Sequence, residues 1–134
     1  MSEHTASYYA ATANDDIRHP QLTEDINVDV CVIGGGFTGI SSALHLAERG
    51  YDVVLLEGER VGWGASGRNG GQICTAYNKS MDSIAKLVGK DGAQAMWDVE
   101  VDSKNMIRER VERHNIDCDL RWGYLHAAAK PSHM

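Results

Sequence analysis

No stretch of the 134-residue sequence approaches the run of about 18 apolar residues that reads as a membrane-spanning helix. The polar N-terminus also lacks the apolar centre of a secretory leader, so no membrane partner is expected. Cysteine is scarce: Cys31, Cys74 and Cys118 are odd in number, far apart, and form no CxxC pair. That excludes a disulfide framework or a zinc site and fits a reducing, cytoplasmic setting. His4 and His19 have no companions at metal-ligand spacing, so no metal is expected. Positive charge is in deficit as well. Against 19 Asp and Glu there are 13 Lys and Arg, a net −6, which gives no bulk attraction for nucleic acid or an anionic membrane surface. No internal repeat is present. What remains is 43% hydrophobic and 24% charged, the composition of a globular chain long enough for one ordinary domain with a core.

The stretch from Val30 to Glu57 organises the rest. Val30 to Ile33 is a short continuous apolar run, which predicts a strand buried on both faces of a parallel sheet. Gly34, Gly36 and Gly39 follow in the G-x-G-x-x-G spacing, with Phe37 and Thr38 between the last two. The first glycine permits a tight turn, the second lets a pyrophosphate approach the backbone, and the third lets a helix pack hard on the strand. Ile40, Ala43, Leu44 and Ala47 then fall at i, i+3, i+4 and i+7, an apolar stripe for that helix, and Gly50 supplies its stop. The free N–H groups and positive dipole end of such a helix make a site for a diphosphate. Val53 to Leu56 supply a second strand, and Glu57 stands at its end, 23 residues after the first glycine. An acid at about that distance accepts hydrogen bonds from a ribose 2′-OH, and would repel the 2′-phosphate of NADP. Strand, helix, glycine stop and acid together predict a dinucleotide site, without separating NAD from FAD.

A second glycine-rich run follows. Gly62, Gly64, Gly67, Gly70 and Gly71 crowd around Ala65, Ser66, Arg68 and Asn69. Such a run can curl its amides around an anion while Arg68 adds a charged fork, or it can be a mobile surface loop. Its place one strand after the first motif favours cofactor contact. Ahead of everything, residues 1–26 read as a polar arm carrying Asp15 and Asp16, with Tyr8 and Tyr9 as candidate anchors. Ser80 to Val88 predicts a short helix stopped by Gly89. A longer one then runs to about His114, with Ala93, Met96, Trp97, Val101, Ile107 and Val111 on its apolar face, and Glu100–Lys104 and Glu109–Arg113 as exposed pairs. Leu120, Trp122 and Tyr124 alternate with polar residues, predicting a strand; His126 and His133 carry no assigned chemistry. Two parallel strands do not make a stable sheet by themselves, so the chain is expected to be the N-terminal part of a longer protein.

With VCVIGGGFTGISSALHLAERGYDVVLLE followed by GWGASGRNGGQI, the sequence resembles the FAD-dependent oxidoreductases of the D-amino-acid oxidase type. GASGRNGGQ, the early SYYAATA and the late RWGYLHAAAKPSHM are most similar to the branch acting on gamma-glutamylputrescine. The resemblance implies an α/β fold: a Rossmann-like FAD-binding βαβ unit with its glycine-rich flavin loop over residues 27–79, then the start of an interleaved α+β substrate domain over 80–134. It implies that Gly34, Gly36, Phe37, Thr38 and Gly39 form the pyrophosphate turn and that Glu57 holds the adenosine ribose. Ala65, Ser66, Arg68, Asn69, Gly70 and Gly71 would run beside the flavin, whose attachment is expected to be non-covalent because Ser66 to Gln72 contains neither His nor Cys. The implied activity is oxidation of a small-molecule amine, as in putrescine catabolism. Hydride passes to the flavin, the imine hydrolyses to an aldehyde, and O₂ reoxidises the flavin. Catalytic residues are not assigned in this stretch. Another substrate such as sarcosine, glycine or a D-amino acid is the alternative within the family, and a non-catalytic nucleotide-binding fragment the alternative outside it.

Overall fold

The structure is a computed structural model that describes residues 3–14, 16–75, 77–123, 125 and 127–130. Asp15, Tyr124, His126 and His133, named above, lie outside the described residues. The chain divides into two units, Met1–Gln72 and Ile73–Met134.

In the first unit, helix α1 is a single turn, Tyr8–Ala11, started by Ser7, whose hydroxyl accepts from Ala10 N at 3.2 Å. Strand β1, Val30–Ile33, pairs in parallel with β2, Val53–Leu56, in the register Val30 to Val53 through Ile33 to Leu56. Asp29 and Val30 N–H both donate to the Asp52 carbonyl (3.0 and 3.1 Å), and Asp52 N–H returns a bond to the Asp29 carboxylate (2.9 Å), so the register is set before the first paired residue. Between the strands runs α2, Phe37–Ala47, packed on both. Gly50, at φ 88°, ends it; Gly50 N–H donates to Ala47 O, and Tyr51 N–H to Leu46 O. This is the expected βαβ unit with a Rossmann-like connection.

Burial is lighter than the composition predicts. The strand expected to be covered on both faces alternates instead between half-buried and exposed, with Ile33 86% exposed. The sheet has only two strands, and α2 is the element that packs extensively against it among the described residues. For the same reason Ile40 and Ala47 of the predicted stripe are exposed while Ala43 and Leu44 are half-buried.

In the second unit, α3 spans Met81–Arg113 and is interrupted at Gly89, whose φ of 79° and ψ of 168° are not helical. The two predicted helices are thus present, joined at the predicted stop. Ser80 caps the first, its hydroxyl accepting from Ser83 N at 3.3 Å. Ile84 and Ala93 are the buried apolar side chains of the described residues. Trp97 and Ile107, expected inside, are exposed. Lys104, expected to face Glu100, donates to Thr75 Oγ1 at 3.1 Å, and Tyr77 OH reaches the Met96 carbonyl at 3.0 Å. The alternation around Trp122 does not become a paired strand among the described residues. Asp119 (φ 53°) and Gly123 (φ 104°) take left-handed backbone that breaks an extended run, and the Trp122 ring lies instead against Arg108, 4.5 Å from its guanidinium carbon.

Candidate functional site

The β1–α2 turn forms because three glycines stand where a side chain would strain the backbone or meet a neighbour, each for a different reason. Gly34 sits at φ 103°, in left-handed space, and its N–H extends the sheet by donating to Leu56 O at 2.8 Å. Gly36 is the N-cap of α2 and contributes no side chain to it. A Cβ on Gly39 would overlap the Gly34 carbonyl oxygen and lie 3.5 Å from Val32 Cγ1. The third glycine is therefore the contact point of helix on strand.

The middle residue of the GGG run, Gly35, is missed by the spacing argument and proves central. It is buried, and its N–H donates to Glu57 Oε2 at 2.6 Å while its carbonyl accepts from Gly62 N–H at 2.9 Å. A Cβ there would stand 3.1 Å from Glu57 Oε2. Three adjacent glycines, with the extra one in a nominally free position, are the signal that was available for it. Glu57 Oε1 accepts from Glu59 N–H at 3.0 Å, so the carboxylate braces both the turn and the chain leaving β2. Donation from Gly35, then from Glu59 and Gly58, holds its pKa below the usual carboxylate range against a smaller opposing effect of burial.

The second glycine run lies against the first. Ala65–Gly67 make one 3₁₀ turn, which places the Ser66 hydroxyl over the start of α2, where it accepts from Phe37 N–H at 3.0 Å. A Cβ on Gly36 would be 2.9 Å from that oxygen. Asn69 ties the run to itself: its Nδ2 donates to the carbonyls of Ala65 (3.2 Å) and Ser66 (2.9 Å), and its Oδ1 accepts from Gly71 N–H at 2.8 Å. Gly71 is left-handed at φ 68°, and a Cβ on Gly70 would overlap the Gln72 side chain. Arg68, predicted as an anion fork, stacks on Trp63 with its guanidinium carbon 5.2 Å from the ring centroid, and its Nε donates to Gly64 O at 3.2 Å. Phe37 and Thr38 open α2 with exposed side chains, so what they bring to the turn is backbone.

The arm is held by charge rather than by its tyrosines, for Tyr8 is 74% exposed. Arg60 reaches Asp16 at 2.6 Å and Glu3 at 3.8 Å, Arg18 grips Glu3 through both terminal nitrogens (2.9 and 3.1 Å), and Trp63 Nε1 donates to the Glu3 carbonyl at 3.3 Å. The Arg18 hydrogen bond first, and its charge next, lower the Glu3 pKa. Hydrogen bonds from Arg60 and then Arg18 lower that of Asp16. A groove of about 940 Å³ runs between residues 17–24 and 54–61. Glu57 lines it, but Gly34, Gly36 and Gly39 do not, so this groove is separate from the turn. No helix among the described residues is long and apolar enough to cross a membrane.

Residues 29–134 match the family described as FAD dependent oxidoreductase, DAO. The chain is 53% identical over 128 residues to gamma-glutamylputrescine oxidoreductase of Escherichia coli K12, covering 96% of this chain and 30% of that protein. It is 45% identical over 132 residues to probable oxidoreductase OrdL of Haemophilus influenzae, covering 98% of this chain and 31% of that one. With OrdL of Rhizobium meliloti the identity is 36% over 126 residues, or 94% and 29% of the two chains. The chain thus spans about 30% of the length of these curated relatives. No solved structure matches it.

Proposed function

Because the chain belongs to the family of FAD-dependent oxidoreductases, we propose that it forms the dinucleotide-holding part of an amine oxidoreductase whose substrate is gamma-glutamylputrescine or a close analogue. Supporting the substrate is the 53% identity to the Escherichia coli gamma-glutamylputrescine oxidoreductase. Residues 27–79 form the FAD-binding portion and 80–134 open the substrate domain. The three cysteines are free and exposed, which suits a reducing cytoplasm.

One observation carries the cofactor assignment to particular residues: Ser66 Oγ rests on Phe37 N–H at the mouth of α2, where the N-cap Gly36 has no side chain. A hydroxyl oxygen there stands in for a phosphate oxygen, and a helix N-terminus favours a diphosphate in the same place. Gly34, Gly36, Phe37, Thr38 and Gly39 present backbone to it. Ser66 either shares that N–H or turns away to donate to the diphosphate. With Gly35, Glu59 and Gly58 N–H on three of its lone pairs, the Glu57 carboxylate keeps one for an adenosine ribose hydroxyl. Ala65, Arg68, Asn69, Gly70 and Gly71 continue the wall beside the flavin. The flavin supplies the hydride-accepting chemistry, and these residues bind and orient it.

The test is to purify the full-length protein, record its flavin spectrum, and follow H₂O₂ release with gamma-glutamylputrescine, sarcosine, glycine and D-amino acids. A yellow protein turning over the first substrate fastest is expected. Turnover of another amine alone removes the substrate assignment. A colourless protein that takes up no added FAD removes the cofactor assignment, and bound flavin with no turnover of any amine leaves a nucleotide-binding module.

A further inference from the structure

We infer that Arg60 is a positioning residue for the cofactor site: held by Glu3 and Asp16 of the N-terminal arm, it sets residues 60–66 against the glycine turn and so controls how tightly FAD is held. This rests on the FAD reading above and extends it to residues that touch no part of the cofactor cradle.

The geometry starts from an imbalance of exposure. The Arg60 side chain is 13% exposed, whereas its partners Asp16 and Glu3 are 66% and 71% exposed. A guanidinium so far removed from water needs compensating charge, and the arm supplies it. Arg18 holds the same two acids, its Nε 3.2 Å from Asp16, so they arrive as a pair already fixed to each other. Two acids and two arginines make a neutral network, with Arg60 its member on the loop side.

From Arg60 the chain leads directly to the site. Trp63 N–H donates to the Arg60 carbonyl at 2.9 Å, closing a turn that also places Trp63 Nε1 on the Glu3 carbonyl. Inside that turn, Gly62 N–H bonds to the Gly35 carbonyl, and Gly35 is the residue Glu57 braces. Three residues past the turn stands Ser66, on the Phe37 N–H. One seven-residue segment thus touches the arm on one side and both halves of the glycine turn on the other. Freeing Arg60 loosens the charged fastening that the segment has among the described residues. It leaves Gly62 and Ser66 to hold their places by single neutral hydrogen bonds.

The experiment titrates the apo form of the full-length protein with FAD, at low and high salt, alongside apo melting temperatures. Arg60→Ala is expected to weaken FAD binding roughly tenfold and to flatten its salt dependence, because the screened charges no longer contribute. Arg60→Lys restores part of the affinity, and Asp16→Asn, which leaves Arg60 and Glu3 in place, weakens binding roughly threefold. The visible circular dichroism of the bound flavin shifts in Arg60→Ala as the loop moves. FAD affinity and salt dependence equal to those of the unaltered protein overturn the inference. So does an affinity loss that only tracks a lower apo melting temperature and is not restored by lysine. Should the unaltered protein itself bind no FAD, the proposed function fails instead.

Discussion

The two glycine-rich segments look alike in composition and are built by opposite means. In the first, Gly34 to Gly39, most fastenings belong to the βαβ unit: Gly34 N–H extends the sheet, Gly39 is pressed between helix and strand, and Gly35 is pinned by the acid at the end of β2, with Gly62 and Ser66 adding one bond each from the loop. In the second, Gly62 to Gly71, the fastenings are side chains that the loop supplies to itself or borrows, such as Asn69, Arg68 on Trp63, Ser66 on α2, and the arm at Arg60. A glycine of the first segment such as Gly39 answers to backbone held by the sheet, which cannot yield. One in the second answers to neighbours that can.

Paired alanine substitutions test that contrast most strongly. On Gly39 and on Gly67 alike an added Cβ would overlap a carbonyl oxygen, of Gly34 and Gly62 respectively. Gly39→Ala is expected to cost about 3 kcal/mol, seen as a lower melting temperature and loss of bound flavin, because overpacking there separates helix from strand. Gly67→Ala is expected to cost about 1 kcal/mol, since the loop can shift. Equal losses would erase the distinction.

Next in size is Glu57→Gln, which keeps the shape and removes the charge that Gly35 and Glu59 N–H address. A fall of roughly tenfold in FAD affinity is expected near neutral pH. The sign with pH follows from the lowered pKa of Glu57. Its contribution is complete above the ordinary carboxylate range and disappears as pH falls through the lower folded-state value. The difference between Glu57→Gln and the unaltered protein should therefore narrow on acidification; a constant difference would mean that the charge is not what braces the turn.

Asn69→Ala removes three hydrogen bonds from the second segment and is expected to lower affinity about fivefold with little change in melting temperature. A large fall in melting temperature would show that this loop belongs to the fold after all. Ser66→Ala is the smallest change, a lost cap of about 1 kcal/mol or less. In the FAD complex the Ser66 hydroxyl is expected to share Phe37 N–H with a phosphate oxygen or to donate to that oxygen instead, so apo and holo melting temperatures should respond unequally.

The same contrast explains what could be read from the sequence. The turn was legible because each of its glycines is demanded by the regular elements on either side, whose signals are strong: an apolar run, an i, i+3, i+4 stripe, a terminal acid. Gly35 escaped because the motif leaves its position free, and its role depends on where the Glu57 carboxylate lands. The role of Arg60 was invisible because its partners lie 44 and 57 residues away in an arm with no periodicity of its own. The strand predicted around Trp122 does not form among the described residues, since a strand exists only through its pairing and two left-handed residues interrupt the run.

The bend at Gly89 settles a matter of phase. Ile84 and Ala93 are nine residues apart, and on an unbroken α-helix that separation is two and a half turns, which would point them to opposite sides. Both are nevertheless buried. The corner frees the second half of the rod from the phase of the first, and a backbone at φ 79° and ψ 168° is open to glycine almost alone. One residue without a side chain thereby decides which way some two dozen others face.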